Sequence, residues 1–378
     1  MTSSIAFLNC TNAIPKRILL ISSEFSTFNT VKHICWQKFD SGNAPSDAQL
    51  IKAASCSAFL FKLLKALITG RYKAYVFDDM RILPIAVILG KLKGVKLIYN
   101  RQEVPSLTAA QMLHKMFRLP KKHSIAIAEA VESFFGRKVN LVISIPLKKS
   151  VEYRLINWGC PLVSISNVPE KLHAALPNLT MPLTNDKRML LIYSGAVSLE
   201  NGLLSYLRLV RRLDKDSNTP PVSLLLIGRL WKLSFEDLRL LINEECCAGL
   251  VEYREWVPYE TLIELLASAD IGLAMTDPEF EKYTYMGEGS SRKIFTYMSA
   301  GLPIITGGAF GKVILDEQAG YFVDYNDIDA MYKAAQRIFL SQEDSELMSL
   351  RGKSAILNKY NWEIEGRKLR VMLQEIIS

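Results

Sequence analysis

The alternation of short apolar runs with longer helical patterns is the feature that most constrains the fold of this chain. Strands that alternate with helices predict βαβ units and a parallel sheet. In the first half we predict helices at 46–69, 81–94 and 123–136, and strands at 17–22, 74–77, 96–99, 141–144 and 162–165. The loop after the first of these strands, at 22–25, lacks a glycine-rich turn, so a nicotinamide dehydrogenase is not expected.

The same alternation restarts after a segment rich in proline and asparagine at 171–187, which we interpret as an interdomain linker. A length of 378 residues suits two domains, because single cores stop growing well below it. We predict an α/β protein with Rossmann-like domains at 1–170 and 188–361, and an amphipathic helix at 362–378 that packs back toward the first domain. Predicted strands of the second domain are 189–193, 222–227, 250–253, 271–274 and 303–305; its predicted helices are near 201–213, 234–243, 259–268, 292–300 and 327–340.

Positive charge is concentrated in the first domain. Residues 1–170 hold 23 Lys and Arg against 10 Asp and Glu, a net charge of +13, whereas the whole chain carries +8. We therefore expect an anionic partner beside this domain, either acidic lipid headgroups or nucleic acid. Nucleic acid is the weaker alternative, because no recognition motif accompanies the charge.

Segment 110–122 has the pattern of a helix that lies on a membrane surface. A helix packed against its own sheet has a similar signature, so the membrane contact is a hypothesis. Its apolar residues are Met112, Leu113, Met116 and Phe117, edged by Lys115, Arg118, Lys121 and Lys122.

No spacing among the six cysteines suggests a zinc site or a disulfide framework, so a reducing compartment fits best. Neither a targeting signal nor a membrane-spanning run is recognisable in the sequence. We expect a cytoplasmic protein that is peripheral at the inner face of the membrane.

The stretch around 286–305 predicts an anion-binding site. Ser290 or Ser291 can cap a helix that ends at Gly301, and a strand follows. A helix that starts at the carboxyl ends of parallel strands presents free N–H groups to an anion. Arg292 and Lys293 place positive charge in its first turn, which is unfavourable for a helix unless an anion binds there.

Several segments, in order along the chain, resemble the retaining glycosyltransferases of family 4 used in bacterial surface polysaccharide assembly. These are GT-B proteins, so the resemblance implies two Rossmann-like domains facing across a cleft. The matching segments are 99–103 and 167–170 in the first domain, and 193–195, 226–228, 256–258, 268–273 and 293–305 in the second.

The resemblance implies a nucleotide-sugar donor, UDP- or GDP-linked, and a glycan or lipid-linked acceptor, with no cofactor or metal. Val257 would meet the nucleobase through its backbone, Glu288 would bind donor-sugar hydroxyls, and Thr296 would face the ribose. Gln102 and Glu103 would orient sugar or acceptor; with Glu288 they form the predicted catalytic set. The other predicted donor-binding residues are Gly195, Ser290, Ser291, Arg229, Arg292 and Lys293, of which the last three are the nearest candidates to replace diphosphate-binding cations that this sequence lacks.

The sequence also departs from the family. Ala196 and Asn201 stand where the family has the Arg and Lys that bind the diphosphate, and Gln102 stands where it has His. Thr296 replaces the second of two glutamates, and a hydroxyl binds a ribose more weakly than a carboxylate does. A non-catalytic relative that acts as scaffold or regulator is therefore an alternative. An inverting transferase is another, with a base at Asp78, Asp79 or Glu103.

Overall fold

The computed structural model of the protein describes residues 4–9, 16–26, 30–37, 49–52, 56–102, 104–171 and 188–377. The first unit comprises Met1–Ser166 and Ile364–Ser378, and the second comprises Asn167–Glu363. The predicted linker at 171–187 lies outside the described residues apart from Lys171, and the predicted domain boundaries stay predictions.

A parallel sheet organises the first unit, with the strand order β3-β2-β1-β4-β5-β6-β7. The strands are β1 (Ser4–Asn9), β2 (Thr30–Gln37), β3 (Gln49–Lys52), β4 (Tyr72–Phe77), β5 (Lys96–Arg101), β6 (Leu141–Ser144) and β7 (Leu162–Ser164). The helices are α1 (Lys16–Ser26), α2 (Cys56–Thr69), α3 (Leu83–Lys93), α4 (Pro105–Phe117), α5 (Lys121–Gly136) and α6 (Lys149–Ile156).

The predicted strand at 17–22 is wrong, because this run lies within helix α1. Short apolar runs do not distinguish a strand from a buried helix. Ile21 and Phe25, one helical turn apart, are both fully buried, whereas Ser23 is exposed, which is the periodicity of a helix. The true first strand is β1, which pairs with β2 and β4 and was not predicted. The loop at 22–25 is therefore not the turn after the first strand.

The other predictions for the first sheet are confirmed within a few residues, except at the start of the helix predicted over 46–69. That segment contains strand β3 before helix α2, because the strand pairs with β2. The continuous interfacial helix predicted over 110–122 is also wrong. Helix α4 ends at Phe117, Arg118 is left-handed with φ 52°, and α5 begins at Lys121. Pro120 explains the break, since a proline disfavours helical backbone at the residue before it.

A second parallel sheet organises the second unit, with the strand order β10-β9-β8-β11-β12-β13. Its core packs the apolar faces of α7 and α12 against the sheet, with Tyr206 and Leu224 fully buried. The strands are β8 (Met189–Ser194), β9 (Val222–Ile227), β10 (Val251–Arg254), β11 (Ile271–Thr276), β12 (Ile304–Gly308) and β13 (Gly320–Val323). The helices are α7 (Leu203–Asp214), α8 (Phe235–Glu244), α9 (Tyr259–Ala267), α10 (Arg292–Ala300), α11 (Lys312–Glu317), α12 (Ile328–Leu340) and α13 (Gln342–Asn358).

The chain closes with helix α14 (Trp362–Ile377), whose residues from Ile364 onward belong to the first unit. Leu369 and Leu373 are fully buried there, and Arg370 binds the carboxylate of Glu24 at 2.8 Å. Among the described residues, no helix is both long and apolar enough to cross a membrane.

Candidate functional site

Two glycines lie against each other where β8 and β9 end in the second unit. Gly195 has φ 145° and Gly228 has φ 135°, both in the region that favours glycine. A Cβ atom on Gly228 would lie 1.9 Å from the carbonyl oxygen of Gly195, so no side chain fits between the two turns. The N–H of Gly195 donates to the carbonyl of Ile227 at 2.8 Å, and the expectation that a backbone N–H near Gly195 binds a phosphate stays a prediction. Gly195 itself therefore contributes space rather than its own N–H.

Helix α10 begins at Arg292 and ends at Gly301, which has φ 72°, as predicted. The predicted N-cap position is confirmed at Ser291, although its side chain does not cap the helix. Ser291 occupies the cap position without a capping hydrogen bond from its side chain, and the hydroxyl of Ser290 donates to the carbonyl of Gly287 at 2.6 Å. Because no side chain caps this end, its first N–H groups and the positive end of the helix dipole remain suited to an anion.

The side chain of Lys293 runs from the first turn of α10 to the end of β8. Its Nζ lies 3.1 Å from the hydroxyl of Tyr193 and 4.6 Å from the centre of that ring. A Cβ atom on Gly195 would lie 3.5 Å from its Cε, so the chain passes directly beside the glycine turn. The residue as a whole is half-buried. Its ammonium is surrounded by protein atoms, and this desolvation lowers the pKa of Lys293 to about 7.

Asn201 stands where the family resemblance places a lysine, and its amide is held on both sides. Its Nδ2 donates to the carbonyl of Ala196 and to the hydroxyl of Ser198, each at 3.0 Å. Its Oδ1 accepts from the hydroxyl of Tyr283 at 2.8 Å and lies 3.4 Å from Nζ of Lys293. The ammonium of Lys293 therefore lies beside position 201, where the family resemblance places a lysine. Sequence reasoning proposed Lys293 as a substitute but not Tyr193 or Tyr283, which no motif marks.

Arg229 and Arg292 are both exposed. One follows the glycine turn at the end of β9, and the other is the first residue of α10. Arg229 comes directly after Gly228, and its carbonyl accepts a hydrogen bond from the N–H of Val197 at 2.8 Å. Arg292 opens α10 beside Lys293. Val257 is half-buried between β10 and α9, where a backbone contact with a base was predicted. These three roles stay predictions.

Glu288 and Thr296 are engaged within the second unit. The carboxylate of Glu288 accepts hydrogen bonds from the N–H of Gly311 at 3.2 Å and of Lys312 at 3.3 Å, at the start of α11. The Thr296 hydroxyl, 5% exposed, donates to the carbonyl of Arg292 at 3.1 Å. Both side chains thus have structural partners, and their roles toward a donor stay predictions.

Near the carboxyl ends of β4 and β5, four buried polar atoms have no hydrogen-bond partner among the residues that the structure describes. They are Oδ1 of Asp78, Oδ1 of Asn100, Nε2 of Gln102 and Oγ of Ser106. Phe77 pairs with Tyr99 in the sheet, so the next residues, Asp78 and Asn100, lie side by side. Buried polar groups almost always have partners, so these atoms are expected to bind a polar ligand, a water or a residue outside the described ranges. The predicted catalytic residue Glu103 lies outside the described residues.

The electrostatics of this edge were only partly predicted. Burial, followed by the neighbouring charge of Asp79, raises the pKa of Asp78 to about 7. Next to Gln102 in the chain, Arg101 forms an ion pair with Glu132 at 2.9 Å, and the two side chains are 3% and 4% exposed. The hydroxyl of Tyr99 donates a hydrogen bond to the same carboxylate. This pair joins β5 to α5 directly before Gln102. Nothing in the sequence pattern indicated it, because its two members are 31 positions apart.

Residues 188–341 match the family model described as glycosyl transferases group 1. The second unit contains a group 1 glycosyl transferase domain. Every predicted donor-binding residue, from Gly195 to Thr296, lies within this domain. A search of curated protein sequences gives no match.

Solved structures resemble the chain over its whole length. The Anabaena protein HepE in complex with UDP-glucose has a TM-score of 0.70 at 13% identity, covering 98% of this chain and 99% of its own. Sucrose-phosphate synthase from Thermosynechococcus elongatus has a TM-score of 0.67 at 14% identity, covering 99% and 98%. WaaG, a glycosyltransferase involved in lipopolysaccharide biosynthesis, has a TM-score of 0.70 at 12% identity, covering 97% and 99%. The predicted GT-B fold and the predicted glycosyltransferase class are confirmed.

Proposed function

We propose that this protein transfers a sugar from a UDP- or GDP-linked donor to a glycan or lipid-linked acceptor at an anionic membrane surface. The glycosyl transferase domain would hold the donor diphosphate. One observation carries this assignment: the ammonium of Lys293 lies beside the glycine turn at Gly195, next to a helix end that no side chain caps. A cation and a helix N-terminus together stabilise the negative charge that builds on a departing nucleoside diphosphate, without a metal ion.

Thermal unfolding with free UDP, GDP and ADP tests donor binding, since a ligand at 100 times its Kd stabilises by about 2.7 kcal/mol. We expect one of these nucleotides to raise the melting temperature of the wild type. Lys293→Met should remove most of the shift, whereas Lys312→Met, at an exposed lysine of the same domain, should keep it. Equal shifts in both variants would refute the assignment of the phosphate site.

Turnover separates the enzyme from the scaffold alternative. The departures at Asn201, Thr296 and Gln102 favour that alternative, because each replaces an ionisable side chain of the family with a neutral one. Release of nucleotide from the donor, together with the appearance of the sugar on a lipid of an added extract, would establish transfer. Donor binding without release or transfer under these conditions would favour a non-catalytic scaffold.

We propose retention of configuration, which the family resemblance supports. Inversion is the second candidate, because Asp78, with a pKa of about 7, is suited to act as a general base at neutral pH. The anomeric configuration of the first product, followed by NMR, decides between them. An inverted product that disappears in Asp78→Asn would establish the second candidate.

The membrane contact that we propose is the α4–α5 face of the first unit, defined by six exposed apolar side chains. They recur one turn apart along each helix and are between 37% and 66% exposed: Met112, Met116, Phe117, Ile127, Val131 and Phe134. Basic residues border them at Lys115, Arg118, Lys121, Lys122, Arg137 and Lys138. Apolar residues edged by cations match an anionic bilayer surface, where each nearby Lys or Arg contributes about 1 kcal/mol.

Vesicle flotation tests this surface. The wild type should float with vesicles that contain phosphatidylglycerol and much less with phosphatidylcholine alone. The double variant Met116→Ser/Phe134→Ser should lose flotation. Leu92→Ser is the matched control, because Leu92 is an apolar side chain of α3 that is 78% exposed. Equal recovery with both lipids, or loss in the control as well, would refute the contact.

A further inference from the structure

The ammonium of Lys293 has no carboxylate within salt-bridge distance among the described residues. Its contacts are a phenol hydroxyl and an amide oxygen, from Tyr193 and Asn201. An ammonium that loses water without gaining a counterion is destabilised, and desolvation is the cause of its lowered pKa. A diphosphate would be the missing counterion, because it brings negative charge to an otherwise uncompensated cation.

Three buried tyrosines near Lys293 have pKa values raised far above neutral pH. Tyr193 of β8 lies against the ammonium, the ring of Tyr206 of α7 packs against that of Tyr193 at a tilt of 37°, and Tyr297 lies one turn further along α10. Burial raises the pKa of Tyr193 and Tyr206 well above the ordinary value and that of Tyr297 to about 12. Tyr283 faces Lys293 through Asn201 and donates its hydroxyl proton there.

Two charged residues near Lys293 either pair with another side chain or face solvent. Glu200, next to Asn201 in the chain, binds Lys232 at 2.5 Å, and hydrogen bonding to Lys232 helps to lower its pKa. Arg292 precedes Lys293 on α10 but is exposed. Of Lys293 and the three buried tyrosines, Lys293 is therefore the group whose charge changes between about pH 6 and pH 8.5.

We propose that Lys293 supplies the diphosphate-binding cation from α10, in place of the cation missing at position 201, and that it takes up a proton when the donor binds. This inference rests on the proposed function and adds that donor binding is coupled to the uptake of a proton by Lys293. Without donor, Lys293 loses its proton as pH rises through about 7. Donor affinity should therefore fall about tenfold per pH unit above that point, or ~30-fold between about pH 6 and pH 8.5.

Calorimetric titration of the full chain with UDP-, GDP- and ADP-glucose tests this inference. The diphosphate of a nucleotide sugar is esterified at both ends, so its charge stays constant over this pH range. Paired buffers that differ in ionisation enthalpy report the protons taken up on binding. We expect uptake near zero at about pH 6 and about 0.9 proton at about pH 8.

Two variants separate charge from structure. Lys293→Arg keeps a cation that does not lose its proton, so it should bind donor with neither proton uptake nor a pH slope. Lys293→Met should bind weakly at both pH values and also without uptake. Wild-type binding with no uptake and no slope would overturn this inference and leave the proposed function intact. The absence of donor binding at either pH would overturn both.

Discussion

Replacing Asp78 with asparagine should stabilise the protein at alkaline pH, because it removes a carboxylate that burial disfavours. The pKa of Asp78 is about 7 in the folded chain against an ordinary value of 3.8. Each pH unit of difference is worth about 1.4 kcal/mol, so the ceiling is about 4 kcal/mol. Asp78 keeps some contact with solvent, and we expect about half of that, ~2 kcal/mol.

The sign follows from proton binding. The folded state holds more protons than the unfolded state between pH 3.8 and about 7, so the wild type loses stability as pH rises through this window. Urea denaturation should show Asp78→Asn more stable than wild type at pH 8 and nearly equal to it at pH 4. Asp214→Asn, at an exposed carboxylate, is the control and should change stability by less than about 0.5 kcal/mol at both. A gain for Asp78→Asn that is equal at both pH values would refute the role of ionisation.

Three further substitutions have defined outcomes. Gly228→Ala should abolish nucleotide binding in a thermal-shift assay, because its Cβ atom would overlap the carbonyl oxygen of Gly195. Arg101→Met should lower the free energy of unfolding by about 3–5 kcal/mol in urea denaturation, because it leaves Glu132 buried without its cation. Glu288→Ala should destabilise the second unit by about 1–2 kcal/mol through the start of α11, measured in the same way.

Each substitution has a matched control. Gly249→Ala also places a side chain at positive φ, but its Cβ atom meets nothing within 4 Å, so nucleotide binding should survive. Arg154→Met breaks an exposed ion pair with Glu129 and should cost less than about 1 kcal/mol. Glu288→Gln keeps one acceptor oxygen and should lose less stability than Glu288→Ala. If any control behaves like its partner, the local explanation for that pair is wrong.

Five of the six strands of the second sheet could be predicted because their apolar runs are bounded by Gly, Pro and Asp, whereas strand β13 and helices α11 and α13 were not predicted. Strand β9 and helix α10 were predicted to the residue. The strands of the first sheet were harder to predict from the sequence. Strand β1 looks like an ordinary apolar run, and only its pairing with β2 and β4 makes it the strand that joins the two sides of the sheet. Such long-range pairing overrides local pattern.

The phosphate region was predicted in its position but not in its details. Glycine turns and a helix start are local features, so Gly195 and Arg292 could be placed from the sequence. The position of the Lys293 ammonium depends on Tyr193 and Asn201, which are about a hundred positions away in the chain. A sequence pattern does not carry that information.

The return of the chain to the first unit bears on how the protein is synthesised. Helix α14 contributes buried leucines and Arg370 to a unit whose other residues end at Ser166. Domains fold largely in order as they leave the ribosome. The second unit, being continuous, can finish folding first, whereas the first unit must wait for residues made after it. A released chain truncated after Glu363 should therefore contain a protease-resistant second unit and a first unit that is still cleavable.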